Sequence, residues 1–184
     1  MQTVELLLDP TTDAAVRAEW QRLAEVGLPS QARHHGGTNA PHITLGVAEM
    51  IPEEVEGQLS LAADVLPLPL QLGALVVFGS RRLVLARLVL PDTRLLELHA
   101  ATASALERWV SPRENAFAGH WTPHVTLARG VSRARIGDAI TALGPLRGMS
   151  GQITLARRWD SERRRAWVIG SVASQTWAPA QPEA

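Results

Sequence analysis

Two short segments of the chain carry side chains whose types and spacing suit acid–base chemistry: Pro41-His42-Ile43-Thr44-Leu45 and Pro123-His124-Val125-Thr126-Leu127. In an extended strand successive side chains alternate between faces, so each segment sets its His and Thr on one face and its apolar residues on the other. One face can react while the other packs. An unperturbed imidazole titrates near pH ~6.5, so close to neutrality one ring can accept a proton while the other gives one. The neighbouring Thr hydroxyls can donate to the non-bridging oxygens of a phosphate, where charge develops in the transition state. Together these groups are what in-line attack on a phosphate diester requires. Taken singly, each has a plainer reading: a strand His whose tip meets solvent, and a β-branched residue that favours strands. Their recurrence, with Pro before and Leu after in both copies, is what favours chemistry.

Other residues near these segments are candidates of a second order. Arg33 and His34 stand in a stretch with two Gly and Asn39 just ahead of the first segment, which reads either as a substrate-facing loop or as a solvated connection. Trp121, just ahead of the second, is placed to stack on a nucleobase or to pack at the start of the strand. Arg129 offers a guanidinium that matches a phosphate bidentately. Its position five residues after His124 puts it on the apolar face unless the strand ends or bulges there. His34 and His35 are adjacent, so on an extended chain they point apart, and no His-Glu-x-x-His pattern accompanies them. No zinc is expected, and the carboxylate clusters of a two-metal phosphodiesterase are lacking too. Neither a metal nor another cofactor is called for.

The twin His-x-Thr-hydrophobic motifs, one in each half of a chain of this length, resemble the 2H phosphoesterase superfamily, which includes 2′-5′ RNA ligases and RNA 2′,3′-cyclic phosphodiesterases. The resemblance extends over most of the chain. It implies an α+β fold of two pseudo-symmetric lobes, with antiparallel sheets forming a central cleft, the motif strands at its floor and helices on the outside. It also implies metal-independent hydrolysis of a 2′,3′-cyclic phosphate or related cyclic nucleotide phosphodiester. His42 and His124 would form the acid–base pair, with Thr44, Thr126 and a basic residue at position 129 holding the phosphate. Two alternatives stand beside this: RNA 2′-5′ ligation, which is the reverse chemistry, and a non-catalytic module that binds a nucleotide or RNA end. Gly46-Val47-Ala48-Glu49 departs from the Phe-Leu-Gly segment common in the RNA cyclic phosphodiesterase subgroup. That departure bears on the RNA substrate and leaves the superfamily resemblance intact.

Composition bounds the partner. Among 184 residues, 18 basic side chains balance 18 acidic ones, so no global field holds a long duplex, and a small nucleotide or an RNA terminus with a cyclic phosphate fits better. A monomer is expected. Cysteine is absent, which removes disulfides, thiolate metal sites and Cys nucleophiles together. No apolar run approaches the ~18 residues of a membrane span, and the first residues lack a basic region leading into one. A cytoplasmic protein without a membrane partner is expected.

The elements that must position the motifs follow from periodicity and breakers. Val4 to Leu8 reads as a strand, Asp9-Pro10 as a helix start, and Gly27 with Pro29 as its stop. The first motif strand (41–48) precedes a helix opened by Pro52 and ended by Pro67 and Pro69. Two β-rich runs, 70–78 and 83–90, flank Gly79-Ser80-Arg81-Arg82 as a hairpin. A helix from Asp92, an irregular stretch, the second motif strand (123–130), a helix near 132–143 and a hairpin of 152–159 with 167–173 complete the order. Strand, helix, loop, motif strand, helix and hairpin thus occur twice, with Val4, His42 and Leu72 answered near Leu85, His124 and Ile153. Residues 1–173 are read as one bilobal domain, with motifs at 42–44 and 124–126, and 174–184 as a flexible tail.

Overall fold

The computed structural model describes residues 1–109 and 119–170. The tail read at 174–184 lies outside the described residues, as does most of the irregular stretch before the second motif. In chain order the elements are β1 (Gln2–Leu8), α1 (Pro10–Glu25), β2 (His42–Ala48), α2 (Glu53–Ala63), β3 (Leu68–Phe78), β4 (Arg82–Val89), α3 (Thr93–Leu106), β5 (His124–Ser132), α4 (Ile136–Leu143), β6 (Met149–Asp160) and β7 (Arg165–Ile169). The class is mixed α+β and every strand pairing is antiparallel. No helix among the described residues is long and apolar enough to cross a membrane.

Strand order is β1-β2-β5-β4-β3-β6-β7, and β1 also pairs with β6, so the first six strands form a closed ring with β7 outside it. The sheet is made of two groups, β2-β1-β6-β7 and β5-β4-β3, joined through β3–β6 and through a single register pair between β2 and β5. These groups are not the two halves of the sequence. The connection at Gly79, whose φ of +90° suits glycine, folds β3 back on β4 and so hands the last strand of the first half to the second group. In the same way β6 joins β1.

Register makes the two groups equivalent position by position. Leu7 pairs with His42 and Leu88 with His124; Glu5 with Thr44 and Ala86 with Thr126; Val4 with Gly46 and Leu85 with Ala128. Leu72 opposite Val89 matches Ile153 opposite Leu8. Between the apolar faces lies a core that includes Leu6, Ile43, Leu45, Leu85, Val125, Leu127 and Ile153. Charge interrupts the apolar pattern at Arg158, opposite Val4 and held by Glu56, and at Arg87. Arg87 stands where the first group has Leu6, and its buried guanidinium is held by Glu19 of α1, with Nε 3.2 and 3.1 Å from the two carboxylate oxygens, and by the carbonyl of Gly73 at 3.0 Å.

Helix α1 is set by its cap. Asp9 Oδ1 accepts the N–H groups of Thr11 and Thr12 at 3.0 Å each, and Oδ2 accepts the Thr12 hydroxyl and the Gln152 N–H at 2.7 Å each. The Asp9 N–H donates to the Gln152 carbonyl at 2.8 Å, which ties the start of α1 to β6. That knot leaves no room at Gly151, where a Cβ would collide with Thr12 Oγ1 and Asp9 Oδ2. Gly151→Ala should therefore lower stability by about 1–3 kcal/mol, the range for overpacking a filled site. A urea midpoint that falls with an unchanged slope would show this, and an unmoved midpoint would contradict it.

Candidate active site

The motif strands β2 and β5 meet at one register pair, Ile43 with Val125, and both side chains are fully buried on the core face. Stepping outward along antiparallel strands brings His42 across from Thr126 and Thr44 across from His124, all four on the opposite face. Immediately after each Thr the ladder slips: Val4 and Glu5 face Gly46 and Thr44, and Leu85 and Ala86 face Ala128 and Thr126. Leu45 and Leu127 are thus extra residues at matched bulges. Away from the single pair, groups along this seam need other partners. Two indoles supply them: Trp20 Nε1 donates to the Thr126 carbonyl at 3.0 Å, and Trp121 Nε1 to the Thr44 carbonyl at 3.1 Å.

Both imidazoles are anchored alike. His42 Nδ1 lies 2.8 Å from the carbonyl of Ala40, and His124 Nδ1 lies 2.8 Å from that of Thr122. A carbonyl can only accept, so each Nδ1 carries the proton and each Nε2 is left to work on the exposed side of the ring. Both rings and Thr44 are half-buried, whereas Thr126 is buried.

The surroundings of the two rings differ. His42 Nε2 is 3.7 Å from Oε1 of Glu5. Glu5 in turn is held by Arg157, Nε at 2.8 Å and the terminal nitrogen at 2.7 Å from Oε2, and by the Thr3 hydroxyl at 2.8 Å from Oε1. Burial pushes the Glu5 carboxyl up, but the charges of His42 and Arg157 and the Thr3 hydrogen bond outweigh it, and the group sits below the usual carboxylate range. Among the described residues no carboxylate pairs with His124. Burial lowers its pKa, the Thr122 carbonyl works the other way, and the charges of Arg129 and His42 lower it further. The Phe78 ring lies against it with centroids 4.7 Å apart.

The bulge at Leu127 answers the question raised by alternation at Arg129. Because the register slips there, Arg129 pairs with Val84 and returns to the face of His124 and Thr126. Arg33 and His34 line a cleft of about 610 Å³ together with His42, Glu5, His35, Asn39, Arg157, Trp159 and Arg164. Trp121 is half-buried: besides the Thr44 bond, its ring stacks on His99 with centroids 4.1 Å apart. Among the described residues no group of three or more His, Cys, Asp or Glu side chains could hold a metal ion. Sequence reasoning passed over Glu5 and Arg157. The available signal was a carboxylate inside the apolar run Val4-Glu5-Leu6-Leu7-Leu8, where burial demands a partner.

A family model described as the 2′-5′ RNA ligase superfamily matches residues 9–162. The chain belongs to that superfamily. No curated protein sequence gives a significant match. Among solved structures, one described as a phosphoesterase is 22% identical over 91% of this chain and 92% of its own, with a TM-score of 0.54. Escherichia coli LigT complexed with 3′-AMP is 22% identical over 91% and 97%, with a TM-score of 0.56. Kluyveromyces marxianus Usb1 with uridine monophosphate is 13% identical over 91% and 96%, with a TM-score of 0.51. At such identities the likeness is one of fold. Superfamily membership ties the chain to phosphodiester chemistry in general.

The environment of His124 has a measurable consequence. Its imidazole should titrate below the ordinary value of about 6.5 in an NMR titration, and Arg129→Ala should move it upward because a nearby cation is removed. A folded-state pKa below the unfolded one means that this group stabilises the fold above about pH 6.5 and that the contribution is lost as pH falls through the folded value. A His124 midpoint at or above the ordinary value would contradict this account of the site.

Proposed function

We propose that the protein is a metal-independent cyclic phosphodiesterase that hydrolyses a 2′,3′-cyclic phosphate or a related cyclic nucleotide phosphodiester. The observation that carries this is the single register pair Ile43–Val125, which gathers His42, Thr44, His124 and Thr126 on one face. With each Nδ1 tied to a main-chain carbonyl, both Nε2 atoms are free for proton transfer. In the proposed reaction one imidazole takes a proton from water as it attacks phosphorus, and the other protonates the departing ribose oxygen. The Thr44 and Thr126 hydroxyls and Arg129 hold the non-bridging oxygens.

Substrate size follows from the same surroundings. The cleft beside His42 has a volume of about 610 Å³, the size of a small-ligand pocket. Two proteins of similar fold were solved with mononucleotides, 3′-AMP and uridine monophosphate, and a 3′-monophosphate is one product of opening a 2′,3′-cyclic mononucleotide. With no net formal charge the chain has little to grip a polyanion. A mononucleotide 2′,3′-cyclic phosphate should thus be processed within about tenfold of an oligonucleotide with the same end, equivalent to ~1.4 kcal/mol in transition-state binding.

A panel of cyclic nucleotides incubated with the protein in chelator, followed by product analysis, tests the proposal. Turnover should persist in chelator, and His42→Ala and His124→Ala should each lower it by at least about a hundredfold. A correctly folded variant of either kind with near-normal activity would sink the paired-imidazole mechanism. Joining of a cyclic phosphate end to a 5′-hydroxyl without hydrolysis would instead favour ligation, which the same groups perform in reverse.

A further inference from the structure

The two halves of the site superimpose in register but not in charge. Glu5, opposite Thr44, corresponds to Ala86, opposite Thr126. Arg157, opposite Glu5, corresponds to Val76, opposite Ala86. Arg129, opposite Val84, corresponds to Val47, opposite Thr3. His42 therefore has a carboxylate where His124 has a methyl group, and His124 has a guanidinium on its strand face where His42 has an isopropyl group.

We propose that Glu5 is a positioning residue that makes the pair directional: it holds His42 as the imidazolium that acts as acid and leaves His124 as the neutral base. This rests on the cyclic phosphodiesterase reading above. Nε2 of His42 lies 3.7 Å from Oε1 of Glu5, near enough for charge pairing yet beyond a hydrogen bond, so the proton on Nε2 stays available to a substrate oxygen. The other charged or titratable groups facing His42 are Arg157, which lies bonded to the far oxygen of the same carboxylate, His124, and the cleft-lining Arg33, His34, His35 and Arg164. Those facing His124 are Arg129 and His42, with Phe78 covering the ring. Among the described residues no anion offsets them there.

In the step this assigns, the water oxygen bonds to phosphorus and its proton passes to Nε2 of His124. The bond from phosphorus to the ribose oxygen breaks, and that oxygen takes the proton from Nε2 of His42. The product is a phosphate monoester, and both rings return to their starting states by exchange with solvent. The departing ribose thus lies on the His42 side, where the cleft opens.

The test is the pH profile of kcat/KM for a cyclic mononucleotide in wild type, Glu5→Gln and Arg129→Ala, with NMR titration of both imidazoles in each protein. Glu5→Gln keeps an acceptor for Arg157 but removes the charge. Its alkaline limb should move to lower pH while the acid limb stays, so that its loss of rate is about tenfold greater near pH ~8 than near pH ~6. Arg129→Ala, an exposed position, should move only the acid limb, toward higher pH. In wild type at any pH within the titration range, His42 should be the more protonated ring. A uniform loss of rate at every pH in Glu5→Gln, an alkaline shift in Arg129→Ala, or a His124 ring more protonated than His42 would each overturn the assignment. Failure of wild type to open any cyclic phosphodiester would refute the functional reading instead, and the relative protonation of the two rings would still judge the role of Glu5.

Discussion

The site depends on one main-chain contact. β2 and β5 touch through the pair Ile43–Val125, and that seam closes the ring of strands between the two groups. Because side chains alternate along a strand, fixing this pair with its apolar residues in the core fixes four polar groups on the other face. A slip by one residue would bury the imidazoles and expose Ile43 and Val125. Such a seam cannot rely on its own ladder. The bulges at Leu45 and Leu127, the indole donors from Trp20 and Trp121, and the core on either side hold it in register. The bulges match across the two groups, while the indoles come from different elements, Trp20 from α1 and Trp121 from the segment before β5.

Charge is where the equivalence ends. Arg87 with Glu19 and Arg157 with Glu5 are buried ion pairs, each in only one of the two groups, since Leu6 and Val76 stand at the corresponding Arg positions. Removing one partner of such a pair typically costs about 3–5 kcal/mol, while replacing both by apolar groups is often neutral or better. Stability alone therefore gives no reason to keep them. Glu19–Arg87 ties α1, the helix that carries Trp20, to the strand beside β5. Glu5–Arg157 keeps a carboxylate ionised within reach of an imidazole, inside the apolar run Val4–Leu8.

Much of this was legible in the chain. Alternation in the two motifs placed His and Thr together on one face, and Asp9-Pro10 and Asp92 marked helix starts that the cap hydrogen bonds bear out. Strand limits differed by a few residues where local signals compete. Pro69 reads as a breaker yet lies within β3, paired with Gln152, and the helix read from 132 begins at Ile136 after the 3-10 turn Arg133–Arg135. Three features were hidden because they are set by long-range pairing. The hairpin at Gly79 was readable, but nothing local says that β4 pairs with β5 while β6 pairs with β1. Nothing local places the bulge that turns Arg129 toward the site. Glu5 and Arg157 are 152 positions apart in sequence and meet only because β1 pairs with β6.

A symmetric scaffold poses a problem that its charges resolve. Two identical imidazoles facing one phosphate would share a proton equally, and half of the singly protonated molecules would hold it on the wrong ring for a given substrate orientation. A factor of two is small, about 0.4 kcal/mol, so symmetry by itself costs little rate. It does cost direction, because either ester oxygen could then lie on the acid side. On the reading proposed above, the cleft with Trp159, Arg33 and Arg164 that opens beside His42 would orient a bound nucleoside. Glu5, on that same side, would place the proton where the departing alcohol needs it. Shape and charge would then select one orientation together, without disturbing the strand pairing that sets the two imidazoles on one face.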